Sequence, residues 1–310
     1  MKNPRYSVII PAYDSENTIA DCLESLMAQD LDEPFEILVV NSSSDETPRI
    51  IKERFPRVTL LQRERRTDQG KARNLALEQA AGEIIFFLDA DCTVEPDWMR
   101  RMRDRHEEYG ELLGVGGPVL NADLDNSIGW AGYLIEFGHL FPQGELRETW
   151  HLGAGNVSYK RSFFDRGFRF PEELRFAQED IMFNWHLKNQ GIRFLFDPRI
   201  TVVHHHRTDW PSFLRHQYKL ARGTVHLLAN TEMEGSWLVK HRWLALLLMP
   251  LVGGLKFYRT GKLFYRFQPK LFRKSPGILP VIMAGVVSWC LGFGRELYFA
   301  ERVKAVFQIQ

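Results

Sequence analysis

The chain has 310 residues, of which 45% are apolar and 25% charged, and its formal net charge is +1. This composition is that of a globular protein and argues against a disordered, collagen-like or mucin-like chain. The cysteines Cys22, Cys92 and Cys290 lie far apart and form no CxxC pair, so we expect reduced thiols rather than a disulfide scaffold or a structural zinc site.

The first hundred residues alternate short apolar runs with helical patterns. Strands are predicted over residues 7–10, 36–40, 58–61 and 84–88, and a helix is predicted after each of them. Asp14 or Ser15 is expected to cap the first helix. This order of elements predicts a parallel sheet covered by helices.

The middle of the chain has a mixed pattern. Residues 113–120, 153–159, 193–197 and 200–205 are predicted to be extended, whereas 179–189 and 212–228 are predicted to be helical. Residues 121–150 are expected to form a loop with a helical piece. The fold class is therefore α/β, with a mixed sheet and flanking helices.

Polar residues follow three of the predicted strands. Asp89 and Asp91 come directly after the apolar run IIFFL, Tyr13 follows the first strand, and Asn41 ends the second. Because ligands bind at the carboxyl ends of strands in open α/β sheets, these loops predict a cleft. The two carboxylates are hard ligands for Mg²⁺ or Mn²⁺, Tyr13 can pack on a nucleobase, and Asn41 can hydrogen-bond one. The alternative is ordinary turn chemistry.

Two further segments carry candidate ligand-binding residues. Lys71 and Arg73 lie in the first turn of a predicted helix that Gly70 opens, a place that suits a diphosphate, although a solvated helix start would have the same sequence. His204 ends a predicted strand and would complete a metal shell with the aspartates, although it could equally be a polar strand end.

Seven motifs occur in one order along the chain: SVIIPAYD, VVNSSSDET, GKARN, FFLDAD, GAGNVSYKR, the pair Glu179-Asp180, and VVHHHRT. Together they resemble the family 2 glycosyltransferases of the GT-A fold, over about residues 5–225. The resemblance implies an inverting transfer of a sugar from a nucleotide-diphosphate-sugar donor to a hydroxyl acceptor, with Asp180 as the catalytic base.

The resemblance also implies a donor site and a metal site. The expected donor-binding residues are Pro11, Ala12, Tyr13, Asp14, Asn41, Lys71, Arg73, Asp89 and Ala90. The expected ligands of the divalent metal, Mg²⁺ or Mn²⁺, are Asp89, Asp91 and His204.

Two positions depart from the family pattern. The family usually has Asp at position 41, so Asn41 weakens the expectation of a uridine donor. Processive members carry a Gln-x-x-Arg-Trp motif, but Gln217 is followed by Tyr-Lys-Leu, which predicts a non-processive enzyme.

The chemistry of such a transfer needs these residue types. A carboxylate can accept the proton of an attacking sugar hydroxyl, while a metal and cations stabilise the leaving diphosphate. Asp180 also has a structural alternative, since an acidic pair at a helix start is good capping.

The net charge near zero hides two opposite regions. Residues 236–310 carry 12 Lys and Arg against two acids, Glu296 and Glu301, for a net charge of +10, whereas residues 1–235 have a net charge of −9. We therefore predict a catalytic domain over 1–235, a C-terminal helical region over 236–310, and an anionic partner for the latter.

The C-terminal region also holds two apolar runs, residues 243–255 and 277–293. Both fall short of the about 20 residues of a spanning helix, and Pro250 and Pro280 interrupt them. In the connector 256–275, cations recur every three or four residues with aromatic residues mainly opposite, the pattern of an interfacial helix. If both apolar runs crossed the membrane, the cationic connector between them would lie outside the cell, which the positive-inside rule disfavours.

We therefore predict attachment to the cytoplasmic face of the cell membrane, monotopic or re-entrant, with a glycan or lipid-linked acceptor. A soluble helical subdomain and a two-helix hairpin are the alternatives. No nucleic-acid partner is expected, because the segment contains no recognisable nucleic-acid module.

Two other functions remain open. A nucleotidyltransferase would also combine an α/β sheet with metal-binding carboxylates, but PAYDSEN has no glycine for a phosphate loop. A non-catalytic scaffold that binds glycans or nucleotide sugars would not need Asp89, Asp91 and Asp180.

Overall fold

The structure, a computed structural model, describes residues 4–138, 140–172, 174 and 177–299. Residues 300–310 of the predicted C-terminal region, including Glu301, lie outside the described residues. The strands are β1 Tyr6–Ala12, β2 Phe35–Asn41, β3 Thr59–Gln62, β4 Ile84–Leu88, β5 Cys92–Val94, β6 Gly114–Gly116, β7 Val119–Asn121, β8 Arg147–Thr149, β9 Asn156–Lys160, β10 Phe194–Phe196 and β11 Val202–His204. The helices are α1 Ile19–Met27, α2 Thr47–Arg54, α3 Gln69–Leu77, α4 Trp98–Glu108, α5 Ser127–Glu136, α6 Arg161–Asp165, α7 Glu179–Asn189, α8 Trp210–Ala229, α9 Ser236–Lys240, α10 Arg242–Leu247, α11 Met249–Phe267, α12 Pro269–Lys274 and α13 Ile278–Phe299.

An eight-stranded sheet in the order β3-β2-β1-β4-β9-β6-β10-β8 forms the centre of the first half of the chain. Strands β3, β2, β1 and β4 run parallel, as the sequence pattern predicts, and β9 joins β4 antiparallel. Strands β1 and β4 are almost entirely buried, which explains their continuous apolar sequence. The prediction of a mixed α/β sheet with flanking helices is confirmed.

A second sheet of three strands has the order β5-β11-β7. Strand β11 pairs antiparallel with β5, and His204 lies opposite Cys92. The predicted extended segment 113–120 is therefore two strands, β6 and β7, in different sheets. Gly117 and Pro118 separate the two strands. Position 117 needs glycine, because a Cβ there would lie 2.0 Å from the carbonyl oxygen of Ile200.

The predicted cap of the first helix is wrong. Helix α1 begins after Thr18, and no side chain caps it. Asp14 has a φ of 51°, in the left-handed region, and Ser15 instead accepts the N–H groups of Thr18 and Ile19 with its carbonyl oxygen. A turn therefore separates β1 from α1.

The described residues divide into two compact units. The first holds 4–120, 140–172 and 179–205, and with them the eight-stranded sheet. The second holds 121–138, 174, 177–178 and 206–299, including α5 and α8 to α13. Helices α5 and α8 precede residue 235 but belong to the second unit. The domain boundary near residue 235 therefore stays a prediction.

The second unit has its own apolar core. Ala221 and Val225 of α8 cluster with Trp289 and Phe293 of α13, and Ala245 of α10 joins them. Close contacts need glycine here, because a Cβ on Gly292 would lie 2.2 Å from the carbonyl oxygen of Tyr218. A single sequence does not reveal that α8 packs with the C-terminal helices.

The helix that contains nearly all of the apolar run 277–293 extends beyond the end of that run. Helix α13 spans 22 residues, because Pro280 lies in its first turn, where proline is tolerated. Within the described residues it is the one helix long and apolar enough to cross a membrane, by length and composition only, and 44% of its most apolar window is buried in the protein.

The connector also differs from its predicted arrangement. Its helix divides at Gln268, before Pro269. However, Phe264 is fully buried and packs on Phe272, and the ammonium of Lys256 lies 5.0 Å from the ring centre of Trp289. Part of the predicted amphipathic pattern therefore serves packing within the protein.

Candidate active site

The parallel strands bring the predicted site residues to one edge of the large sheet. In the register of β1 and β2, Ala12 lies opposite Asn41, and β4 lies on the other side of β1. The segment Asp89-Ala90-Asp91 follows β4 directly. Sheet topology therefore brings these segments to the same edge of the sheet, where the sequence predicts a cleft.

Arg73 is a buried link between two distant carboxylates. Its guanidinium is 1% exposed, contacts Glu179 in a close ion pair, and lies 2.9 Å from Asp89 Oδ1. It also lies 5.5 Å from the ring centre of Phe170. Burial disfavours the charged guanidinium, but Glu179 and Asp89 outweigh this cost and raise the pKa of Arg73. This arginine, predicted to bind the donor, is thus already shared by two protein carboxylates.

Asp180 lies in the first turn of α7, beside Glu179. Its Oδ1 accepts the N–H of Ile181 at 2.7 Å, and its Oδ2 accepts the N–H of Ala154 at 3.2 Å. Burial raises its pKa above the ordinary aspartate value, although Arg73 and these hydrogen bonds oppose the increase. The turn before α7 is unusual, because Ala177 and Gln178 have φ values of 147° and 75°.

Asp91 and His204 meet across the second sheet. Oδ1 of Asp91 lies 3.3 Å from Nε2 of His204, and the N–H of His205 bonds to the carbonyl oxygen of Asp91 at 2.9 Å. Asp91, Cys92 and His204 place their potential ligand atoms within 4.8 Å of one another. Neighbouring ligands in an octahedral shell with bonds of about 2.1 Å lie about 3 Å apart, so the carboxylate and the imidazole fit one divalent ion.

Asp89 lies outside this group of three because its carboxylate pairs with Arg73. It also lies close to β9, since a Cβ on Gly155 would lie 2.6 Å from Asp89 Oδ2. Burial raises the pKa of Asp89, and the attraction of Arg73 opposes the increase. Its role as a metal ligand stays a prediction.

The predicted nucleotide-binding residues differ in accessibility. Tyr13 is exposed, as are Asp14 and Lys71, whereas Pro11, Ala12 and Ala90 are buried. A buried proline or alanine offers a ligand only its backbone. The predicted donor site therefore has exposed side chains mainly at Tyr13, Asp14 and Lys71.

Asn41 is fully buried, and its amide is already bonded within the protein. Its Nδ2 donates to Gln62 Oε1 at 3.0 Å, and its Oδ1 accepts the hydroxyl of Ser43 at 2.5 Å. Contact with a nucleobase stays a prediction, because it would have to compete with these bonds.

Three contacts at this edge of the sheet were not predicted from the sequence. The guanidinium of Arg66 lies 4.4 Å from the ring centre of Tyr13, Glu179 binds Arg73, and Cys92 lies beside the Asp91–His204 pair. The cation-rich run QRERR was the available signal for Arg66. Nothing in one sequence showed that Glu179 and Arg73 meet.

His206 is placed differently from His204. It belongs to the second unit, where its N–H donates to Asp123 at 2.7 Å and its ring lies 5.7 Å from that of Tyr133. Asn156 likewise has a structural role, since its amide group donates to the carbonyl oxygens of Pro118 and Ile200.

Comparison with known proteins gives a consistent result. The family model "Glycosyl transferase family 2" matches residues 7–168. The succinoglycan biosynthesis protein ExoO of Rhizobium meliloti is 30% identical over 220 residues, which cover 66% of this chain and 62% of that protein. The chain therefore spans about three fifths of that relative's length.

A second relative and a solved structure match more of the chain. The relative is the dolichyl N-acetyl-alpha-D-glucosaminyl phosphate 3-beta-D-2,3-diacetamido-2,3-dideoxy-beta-D-glucuronosyltransferase of Methanococcus voltae. It is 25% identical over 270 residues, which cover 81% of this chain and 83% of that protein. The mannosyltransferase PcManGT from Pyrobaculum calidifontis, solved with GDP-Man and Mn²⁺, has a TM-score of 0.58 at 19% identity and covers 97% of this chain and 89% of that one. At this identity the likeness shows the fold alone, and it confirms the expected GT-A type.

Proposed function

The chain belongs to glycosyl transferase family 2, and on this premise we propose that it transfers a sugar from a nucleotide-diphosphate-sugar donor to an acceptor hydroxyl. The observation that carries the proposal is Asp180, a half-buried carboxylate in the same compact unit as the Asp91–His204 pair and the buried guanidinium of Arg73. A base, a metal-binding pair and a cation are the groups that this reaction needs.

Asp180 acts as the general base in this proposal. The N–H groups of Ala154 and Ile181 orient its carboxylate, and burial strengthens it as a base by raising its pKa. It accepts the proton of the acceptor hydroxyl while that oxygen attacks the anomeric carbon. One displacement without a covalent enzyme intermediate inverts the anomeric configuration.

Asp91 and His204 would hold a divalent cation, Mg²⁺ or Mn²⁺, and Asp89 lies nearby in the same loop. The chemistry that such an ion supplies is neutralisation of the negative charge on the leaving diphosphate. Support comes from the donor set, because carboxylate oxygens suit Mg²⁺ and Mn²⁺ and His204 adds one nitrogen beside them. The structural relative solved with Mn²⁺ supports the same choice.

Tyr13 and Arg66 would receive the nucleotide. Both are exposed at the strand edge, and the stacked pair presents a flat face and a cation. A nucleobase can stack on the tyrosine while the guanidinium moves to a phosphate. The basic loop before α3, with Lys71 in the helix start, adds positive charge for the diphosphate.

The acceptor is proposed to be a glycan or a lipid-linked glycan precursor, used without processivity. The named substrates of the Methanococcus relative include a dolichyl phosphate, which supports a lipid-linked acceptor. The net charge of +10 over residues 236–310 and the apolar helix α13 support association with the cytoplasmic face of a membrane.

The test is Asp180→Asn, which keeps the size and removes the base. We expect turnover to fall by at least about a hundredfold, the contribution typical of a general base, while donor binding with Mn²⁺ stays within a factor of a few. Retained turnover would remove Asp180 as the base. Release of pyrophosphate instead of a nucleoside diphosphate would favour a nucleotidyltransferase, and absence of turnover with all donors would favour a binding scaffold.

A further inference from the structure

Helices α10 and α11 carry a row of large apolar side chains on the outside of the second unit. Leu247, Leu251, Leu255 and Tyr258 are 76, 68, 45 and 63% exposed. Their spacing of three or four residues puts them on one helical face. The two helices follow each other almost without a break, because Leu248 has helical φ and ψ angles of −82° and 0°. We call these four residues the apolar stripe.

The opposite face of α11 is the one that packs within the protein. Gly253, Thr260 and Phe264 are buried, and a Cβ on Gly253 would lie 2.8 Å from Cys290 Sγ. The helix therefore already buries one apolar face. The stripe is a second apolar face that the described residues leave in water.

Three cations continue the exposed face toward the C-terminal end of α11. Arg259, Lys262 and Arg266 are all exposed, and Lys262 follows Tyr258 by one helical turn. Arg259 pairs with Glu234 at 2.9 Å, but both side chains are more than half exposed, so this pair is weak. The cations remain available for an anionic surface.

The helices that carry the stripe contain few acidic residues, and Glu234, which lies just before them, pairs with Arg259. Residues 236–299 hold ten Lys and Arg and one acid, Glu296, whose carboxylate lies 2.6 Å from Arg222 and 2.9 Å from His226. A second copy of this chain would bring two strongly cationic surfaces together. Phosphate headgroups above an apolar layer match both the charge and the leucines.

We propose that the apolar stripe, with Arg259, Lys262 and Arg266, inserts into the headgroup region of an anionic lipid bilayer, with α11 lying along the membrane surface. The inference refines the membrane association of the proposed function and rests on it. Leucines enter the boundary with the acyl chains, Tyr258 stays at the interface, and the cations contact phosphates. The nearly half-buried α13 supports attachment along the surface rather than by an isolated spanning helix.

The test uses the full chain and vesicles of equal parts phosphatidylcholine and phosphatidylglycerol. Burial of one leucine side chain changes a partition constant by about tenfold or more, so Leu247→Ser with Leu251→Ser should weaken vesicle binding at least about a hundredfold. Lys262→Gln with Arg266→Gln should weaken binding by about tenfold or more and reduce its dependence on salt. Leu124→Ser is the matched control, since Leu124 is 63% exposed and lies between Asp123 and Asp125.

Thermal unfolding of the variants should match that of the parent, because the substituted side chains are exposed. Undiminished vesicle binding by the leucine variant, or equal binding to pure phosphatidylcholine vesicles, would overturn the proposal. A dimer in solution that the leucine variant abolishes would identify a second copy as the occupant instead. Donor binding measured without vesicles separates the two proposals. If no donor binds, the proposed transferase function is contradicted, whereas the result of the vesicle experiment still stands.

Discussion

Arg73 shows how one buried side chain can join distant segments of the chain at the candidate active site. Two carboxylates from distant segments, Asp89 after β4 and Glu179 at the start of α7, share its guanidinium. Asp180 follows Glu179 directly, so this pairing also holds the proposed base near the loop of Asp89 and Asp91. Arg73 is then a positioning residue whose charge balances part of the negative charge at the cleft.

The two partners of this link should respond unequally to substitution. Arg73→Met would leave the buried Glu179 and the half-buried Asp89 without their cation and should lower the free energy of unfolding by about 3 kcal/mol. Glu179→Gln keeps the Arg73–Asp89 pair and should cost less, about 1–2 kcal/mol. Urea unfolding at one pH and ionic strength measures both, and equal losses would contradict the shared-cation interpretation.

At the scale of elements, the contact between β9 and the loop after β4 sets the position of Asp89. Gly155→Ala would place a Cβ 2.6 Å from Asp89 Oδ2, and the ion pair with Arg73 restricts the movement of that carboxylate. A displacement of about 1 Å at a catalytic site can cost about a hundredfold in rate, and we expect a loss of that order in kcat/KM. Gly110→Ala is the control, because a Cβ there meets no atom within 4 Å. Equal activity of the two variants would show that this contact is unimportant.

The packing of α4 on the large sheet should make stability depend on pH. His106 of α4 is buried, with Nε2 2.9 Å from Ser158 Oγ, and burial together with Lys160 lowers its pKa to about 3. Between about pH 6.5 and pH 3 the unfolded chain binds a proton that the folded chain does not, so stability falls as the pH falls through this range.

His106 alone should account for a loss of about 2 kcal/mol between pH 7 and pH 5. His106→Gln should remove that part of the loss of stability between pH 7 and pH 5, regardless of how much the substitution lowers the free energy of unfolding at pH 7. Urea unfolding at both pH values measures the difference, with the exposed His241→Gln as control. An unchanged pH dependence would mean that His106 is protonated in the folded protein.

At the scale of the whole molecule, the net charge of +1 is the sum of an acidic region, residues 1–235, and a basic region, residues 236–310. The acidic part contains the motifs of a family that binds anionic donors, so a bound cation and local arginines must overcome its overall field. We therefore expect Mn²⁺ and donor to stabilise the folded protein together more than either does alone.

Mass action sets the size of that effect, about 2.7 kcal/mol for a ligand at a hundred times its Kd. Thermal unfolding with nucleotide sugars, in the presence of Mn²⁺ or of a chelator, measures it. His204→Ala should abolish the Mn²⁺-dependent part, because it removes one of the two proposed ligands, whose atoms lie 3.3 Å apart. A full response in that variant would exclude His204 as a ligand.

The sequence by itself determined the fold class and the family, and it predicted a cleft at the carboxyl ends of the strands. Buried parallel strands have continuous apolar sequences, and the polar residues that follow them must meet at one edge of the sheet. Asp89 and Asp91 could therefore be proposed as site residues from a local pattern, and Asp180 from the resemblance to the family. The division of the connector at Pro269 was likewise a local property of the chain.

Only the tertiary structure decided which of these groups meet. The pairing of Arg73 with Glu179, the bonding of Asn41 by Gln62, and the short distance between Asp91 and His204 depend on contacts between distant segments. The exposed face of α11 was decided in the same way, because an amphipathic pattern does not distinguish a face that packs on protein from one that faces lipid or water. Periodicity fixes which residues share a face, but the partner of that face is set by long-range packing.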